Sequence, residues 1–311
     1  MIIGSQEAIF HDCGFAAGFF HIFDHFQTDD PPLSGRRIDV FLPRDYGQSR
    51  NRYPVLYMND GGTAFVPGGL VNESWNMADA IERLYEMGKI SQLIVVAIYP
   101  LSRAWEYTHA AWNSREASGG LDRYAHCVAD CIKPFMDRFY RTLPDPKSTM
   151  VLGSSHGGLA AFYIANCRPT AFGFVAALSP SFWVGLDDGS FFPWVKPSLH
   201  ATLEKSELVE RVKHTLSDGR QRPRLYLAWG LVRAGGASNA CIEERATARC
   251  REMVALLQHR YGYRMGNELV VYEDPEGKHD EQSWARQAPK VLEFFSWKII
   301  TDGFLAEQDS D

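Results

Sequence analysis

The sequence predicts an α/β fold, an eight-stranded and mostly parallel sheet with helices on both faces. Three observations lead there. Short apolar runs of strand length recur along the 311 residues and alternate with stretches of helical periodicity. The first two runs alternate apolar and polar residues, whereas the later ones are dense, as in strands covered on both faces. A chain of this length buries about three quarters of its unfolded surface in one core. A single domain over 1–311 therefore accommodates the whole pattern.

The elements follow in chain order. Residues 18–27 and 37–42 alternate and are separated by Asp29, Asp30, Pro31, Pro32 and Gly35, all turn formers. They read as an antiparallel pair. Denser runs at 54–59, 93–99, 149–152, 174–178, 224–229 and 268–273 complete eight strands. Helical patterns cover 75–88, 121–141, 156–167, 239–261 and 281–298. Asp122 and Asn239 are expected N-caps, and Gly88 and Gly262 expected stops. The segment 180–222, with Trp183, Phe191, Phe192, Pro193, Trp194 and Pro197, is long for a connection. It is expected either to cap a site or to run over the surface.

Composition narrows the function. The chain is 45% hydrophobic and 23% charged, with a net charge of -6 and both signs mixed throughout. No basic stripe points to a nucleic-acid partner. No run approaches the roughly 20 apolar residues of a membrane span. The N-terminal residues lack the basic and apolar regions of a secretory signal. Cys13, Cys127, Cys131, Cys167, Cys241 and Cys250 form no C-x-x-C pair and read as thiols of a cytoplasmic protein. His21 and His25 are four apart in a strand-like run, too far apart to share a metal. Trp105, Trp112, Trp183, Trp194 and Trp229 either line an aromatic pocket or pack the core.

One motif brings chemistry. Val151 to Leu159 reads V-L-G-S-S-H-G-G-L, a strand run leading into a small-residue helix. Glycines two before and two after Ser155 leave space for a nucleophile elbow, a tight strand-to-helix turn. The plainer alternative is a glycine-rich helix start packed on the sheet. Ser154 lacks that glycine spacing. A serine hydroxyl needs a base. In the α/β-hydrolase arrangement the base follows the last strand, and His279 stands there, after the loop 274–278. The oxyanion needs backbone N–H donors. His156, next to the nucleophile, supplies one; Gly62, in the Asn59-Asp60-Gly61-Gly62-Thr63 loop, supplies the other.

These residues resemble the putative esterase family that includes esterase D-like, enterochelin, feruloyl and acetylxylan esterases. The likeness runs from about Arg37 to Trp297. It rests on Tyr53 to Gly61, Arg103 with Glu106-Tyr107-Thr108, Leu121 to Tyr124, Gly153 to Leu159, Leu178 to Trp183 and Gly277 to Asp280. The resemblance implies hydrolysis of a carboxylic ester through an acyl-enzyme, without metal or organic cofactor. It assigns the nucleophile to Ser155 and the base to His279.

The third triad member departs from the family pattern. An acid is expected just after the seventh strand, but Arg233 stands there in Trp229 to Gly236. Three accounts stay open. The acid has moved to Glu243 or Glu244, of which Glu244 is the assignment made; the site works as a Ser–His dyad; or Arg233 binds an acidic substrate group. Asp274 is a further candidate. Acids in a first helical turn also complement the helix dipole without catalytic purpose. Trp183 is the expected aromatic substrate contact. The partner is then a small-molecule, peptide or sugar ester, and a homo-oligomer stays open. Two other readings stand beside the esterase: an acyltransferase or cyclase using the same serine, and a non-catalytic binding protein.

Overall fold

The structure, a computed structural model, describes residues 1–68, 72–111, 117–187, 201–236 and 239–308, with side chains to 296. Its centre is a nine-stranded sheet in the order β11-β10-β9-β8-β6-β7-β5-β4-β3. Strands β6 (Val55–Asn59), β7 (Ile94–Ile98), β8 (Thr149–Ser154), β9 (Phe174–Leu178), β10 (Arg224–Gly230) and β11 (Leu269–Asp274) run parallel. Strands β5 (Arg36–Pro43), β4 (Gly18–Phe26) and β3 (Ile9–His11) continue it antiparallel. β1 (Ile2–Ile3) and β2 (Gln6–Glu7) form a separate two-stranded hairpin.

The expected α/β architecture is present, and the count of eight strands becomes nine. The additional strand, β3, has three exposed residues, too short for alternation to register. The antiparallel pair is the expected one; Phe20 faces Phe41 and His21 faces Val40.

Side-chain alternation splits the core in two. Val55, Tyr57, Ile94, Val96, Ile98, Val151, Val175, Leu225 and Leu227 point to one face. That face is covered by α3 (Leu121–His126), α5 (Ser155–Cys167), α6 (Glu207–Ser217) and α7 (Glu244–His259). Leu56, Met58, Val95, Ala97, Met150, Leu152, Phe174 and Ala176 point to the other. There α1 (Met77–Glu86) and α8 (Glu281–Gln308) pack. α2 (Arg103–Tyr107) and α4 (Lys133–Phe139) complete the helices.

Two expected helices carry a local π-turn. α3 continues through Cys127–Ile132 into α4, and α7 is entered through Asn239–Glu243. Gly88 and Gly262 take φ of 63° and 66°, as helix stops do. Asp122 is not an N-cap. Gly120 holds that place, and Asp122 accepts hydrogen bonds from Tyr163 and Arg211.

Of the segment 180–222, expected either to cap a site or to run over the surface, residues 188–200 lie outside the described residues. The remainder forms turns at 181–187, a 3₁₀ turn and α6, whose Leu208, Val209 and Val212 join the core. Among the described residues no helix is long and apolar enough to cross a membrane. All six cysteines are free.

The chain passes from β6 to β7 on one side of the sheet and returns to β8 on the other. At such a reversal a crevice opens beyond the carboxyl ends of the strands. The carboxyl ends of β6 and β8 are Asn59 and Ser154, beside the two loops singled out in the sequence.

Candidate active site

Ser155 follows β8 with φ of 53°, a left-handed conformation rare for a residue with a side chain. The turn is kept by glycines. A side chain at Gly153 would overlap the Gly157 carbonyl, and one at Gly157 would sit 2.7 Å from Asp60 Oδ2. Backbone strain of this kind costs of order 1–3 kcal/mol and persists where the surroundings enforce it. Here Asn59 helps to do so. Its Nδ2 donates to the Gly157 carbonyl at 2.8 Å, while Tyr124 Oη donates to its Oδ1 at 2.7 Å.

His279 Nε2 lies 2.9 Å from Ser155 Oγ, and His279 Nδ1 lies 2.5 Å from Glu243 Oε2. The serine is therefore linked to a histidine that is linked to a carboxylate. Glu243 is 0% exposed in its side chain, so its charge needs partners. Its other oxygen, Oε1, accepts from Ser179 Oγ at 2.8 Å and from the Gly230 N–H. His279 is further held by a backbone bond from its N–H to Asn239 Oδ1 at 2.9 Å, and by the Trp284 ring edge-on at 5.2 Å. Asn239 in turn donates to the carbonyls of Val232 and Ala234.

The assignment of Glu244 as the acid is corrected to Glu243. Successive residues of a helical turn point about 100° apart, so only one of the pair can face His279. Glu244 is exposed in the first turn of α7, where it complements the helix dipole. Asp274 is also displaced from the role. Its carboxylate accepts from Gln287 Nε2 at 2.9 Å and from the Glu276 N–H at 3.1 Å, shaping the loop that carries His279.

Arg233, expected at an acidic substrate group, is engaged within the protein. Its guanidinium turns into its own loop and donates to the carbonyls of Gly230 and Val232 and to Thr247 Oγ1, at 3.1, 3.2 and 2.6 Å. Trp183 is corrected as well. At 1% exposure it cannot stack on a ligand; it packs against His156, ring centroids 5.6 Å apart, beneath the site. Trp229 is likewise buried. Trp105 lies under the Arg123 guanidinium, while Trp112 and Trp194 lie outside the described residues.

The loop 59–63, expected to carry an oxyanion donor, is adjacent to the elbow, as Gly157 and Asp60 Oδ2 show. Asp60 has φ of 56°, and Gly61–Thr63 form a 3₁₀ turn. The Asp60 N–H is taken by Tyr107 Oη at 3.0 Å and the Thr63 N–H by the Asp60 carbonyl. Gly61 and Gly62 keep their N–H groups without an acceptor among the described residues. His156 heads α5, where first-turn N–H groups have no intrahelical acceptor. Arg103 lies at the rim in a bidentate pair with Asp60, at 2.7 and 2.9 Å.

The His156 side chain is not a second base. Burial, followed by the charges of Arg103 and His279, pulls its pKa down to about 3, so it stays neutral near pH 7. His21 Nδ1 lies 3.2 Å from Tyr140 Oη. No group of three or more His, Cys, Asp or Glu among the described residues could hold a metal ion. A cavity of about 350 Å³ lies at the amino ends of β6 and β7, lined by Tyr53, Pro54 and Leu93, and is remote from Ser155.

Four residues that hold the site in place were not read that way from sequence: Ser179 and Trp284 had no role assigned, Asn239 was expected only as an N-cap, and Asn59 only as part of the loop 59–63. Asn59 and Ser179 fall within segments of the family likeness, which was the available signal.

A parallel sheet, a strained serine at a strand-to-helix turn and a Ser155–His279–Glu243 chain define a member of the α/β-hydrolase class. Residues 34–295 match the model of the family described as putative esterase, and the chain belongs to that family. It is 24% identical over 155 residues to the uncharacterized protein YbbA of Bacillus subtilis, covering 48% of this chain and 58% of that one. It is 32% identical over 68 residues to the siderophore enterobactin esterase of Emericella nidulans, 22% of each chain. Both matches thus span less than two thirds of these relatives' lengths. The IroE-like serine hydrolase from Shewanella oneidensis superposes with a TM-score of 0.64 at 18% identity, over 88% of this chain and 79% of that one.

Proposed function

We propose that the protein hydrolyses a carboxylic ester through an acyl-enzyme on Ser155. The observation that supports this reading best is the unbroken chain from Ser155 Oγ through His279 to the buried Glu243. His279 Nε2 takes the Ser155 proton as Oγ bonds to the ester carbonyl carbon. The oxyanion faces the N–H groups of His156 and of the Gly61–Gly62 turn. Collapse breaks the bond to the leaving alkoxide, which receives the proton from His279. Water then repeats the sequence and releases the acid. Glu243 holds the proton-bearing Nδ1 and balances the imidazolium.

Transfer to an alcohol or amine would use the same groups; comparing water with added nucleophiles separates the two. The relatives' names make siderophore esters the first substrates to try, beside short chromogenic esters. The test is fluorophosphonate labelling with ester turnover. The wild type should label and turn over, and Ser155→Ala should do neither. Full activity in Ser155→Ala would defeat the proposal, as would a folded wild type that never takes label.

A further inference from the structure

The nucleophile has a second neighbour besides its base. Ser181 Oγ lies 3.5 Å from Ser155 Oγ and 3.0 Å from His156 Nδ1. The Ser181 N–H also donates to the Ser155 carbonyl at 3.0 Å. The two serines are thus tied through backbone and side chain at once. Ser181 is 0% exposed, so its hydroxyl is limited to the partners around it. Two residues earlier, Ser179 takes φ of 43° and donates to Glu243. The short segment after β9 therefore touches both ends of the proposed triad.

We propose that Ser181 is a positioning residue for the nucleophile: held by His156, its hydroxyl donates to Ser155 Oγ as that oxygen gains charge. This rests on the reading of Ser155 as the attacking group. With the proton on His156 Nδ1, the imidazole donates to Ser181 Oγ, and the Ser181 O–H is left to point at Ser155. Ser155 then gives its own proton to His279, while its Oγ accepts a hydrogen bond from Ser181, whose hydroxyl keeps its proton. The reverse arrangement, Ser181 donating to His156, would draw the Ser155 proton away from its base.

The distance sets the kind of effect. At 3.5 Å the contact is at the outer limit of hydrogen bonding and contributes little to the resting enzyme. It tightens when Oγ carries negative charge, where such a bond strengthens roughly twofold. An interaction stronger in the transition state than in the ground state raises the rate of attack and leaves substrate binding unchanged. Because His156 stays neutral down to about pH 3, the arrangement does not switch over the working pH range. Once Oγ is acylated it is a poor acceptor, and the contribution ends. The signature is thus a slower acylation step with an unaltered pH profile.

The experiment measures the inactivation of full-length wild type, Ser181→Ala, Ser181→Cys and Ser155→Ala by a fluorophosphonate, from pH 5 to 9, with thermal midpoints alongside. Ser181→Ala should label about ten- to a hundredfold more slowly at saturating probe, as expected for a lost bond to a charged oxygen. The half-saturating probe concentration and the apparent pKa of the pH profile should stay the same. Ser181→Cys keeps the volume with a weak donor and should fall with Ser181→Ala, both melting near wild type. Wild-type-like labelling of Ser181→Ala overturns the positioning role and leaves the esterase reading intact. So does Ser181→Cys labelling at the wild-type rate, which makes the site one of packing. A wild type that never labels overturns both.

Discussion

At the scale of single residues, Glu243, the acid of the proposed triad, shows what a one-position difference does. Glu243 Oε1 already accepts from Ser179 and from the Gly230 backbone, so only Oε2 is left for His279. In Glu243→Gln, the carbonyl oxygen must stay opposite the Gly230 N–H, which cannot change its role. The amide NH₂ is then presented to His279 Nδ1, and that nitrogen must become the acceptor. The ring proton moves to Nε2, where it blocks transfer from Ser155. Glu243→Gln is expected to lower kcat on a chromogenic ester by about 10⁴, the loss typical of a triad with the wrong tautomer. Glu244→Gln should stay within about twofold of wild type. Equal losses in the two variants would contradict the assignment. Ser155 and His279 were legible in the sequence because their signals are local: glycine spacing in one case, chain order after the last strand in the other. The choice between Glu243 and Glu244 was not legible. It depends on the phase in which the π-turn Asn239–Glu243 enters α7, and no residue pattern fixes that phase.

At the scale of elements, the site is assembled from loops that lock onto one another. The loop after β10 carries Asn239 and Glu243, and the loop after β11 carries His279. They meet at two glycines. A Cβ on Gly230 would overlap the Gly277 carbonyl, and the Val232 N–H donates to that same carbonyl at 3.0 Å. Arg233, where the family pattern places an acid, instead ties this loop to Thr247 on α7. The cation thus takes a structural role, and the carboxylate facing His279 comes instead from Glu243, at the end of the π-turn that enters α7. Gly230→Ala should force the two loops apart. Overpacking of this kind costs about 1–3 kcal/mol, so urea unfolding should show a loss of that size. A fall in kcat should exceed the fall in kcat for a surface variant of equal stability, because Glu243 and His279 sit on opposite sides of the contact. Unchanged stability and activity in Gly230→Ala would rule out this packing. The eight strands from β4 to β11 and the helices α1, α3, α4, α5, α7 and α8 were legible, since each lies in a run long enough to show its period, whereas α2 and α6, the latter inside the segment 180–222, were not assigned. β3 and the paired β1 and β2 were not, having two or three residues apiece.

At the scale of the whole molecule, two cores on either face of one sheet were implied by the dense apolar strands, and both are present. Their depth has a consequence for acid stability. His109 is 6% exposed, and burial pulls its pKa down to about 4, with Arg211 lowering it further and Glu207 and Asp122 opposing. His156, also 6% exposed, is pulled down to about 3, by burial first and then by Arg103 and His279. Both lie below the ordinary histidine value near 6.5. Below that value the unfolded chain binds a proton at each position and the folded chain does not. Stability must therefore fall as pH falls, by about 1.4 kcal/mol per pH unit for each such histidine. The interval from about pH 6 to pH 5 isolates this effect, because unfolded carboxylates protonate mainly below it. His109 is the better site for the test, since it lies outside the Ser155–His279–Glu243 chain. In His109→Gln the urea-unfolding free energy should decline less steeply over that interval, by about one histidine's share, while kcat holds near wild type. A slope identical to wild type would show that His109 takes up its proton as freely in the folded chain as in the unfolded one, and the buried, neutral assignment would fall.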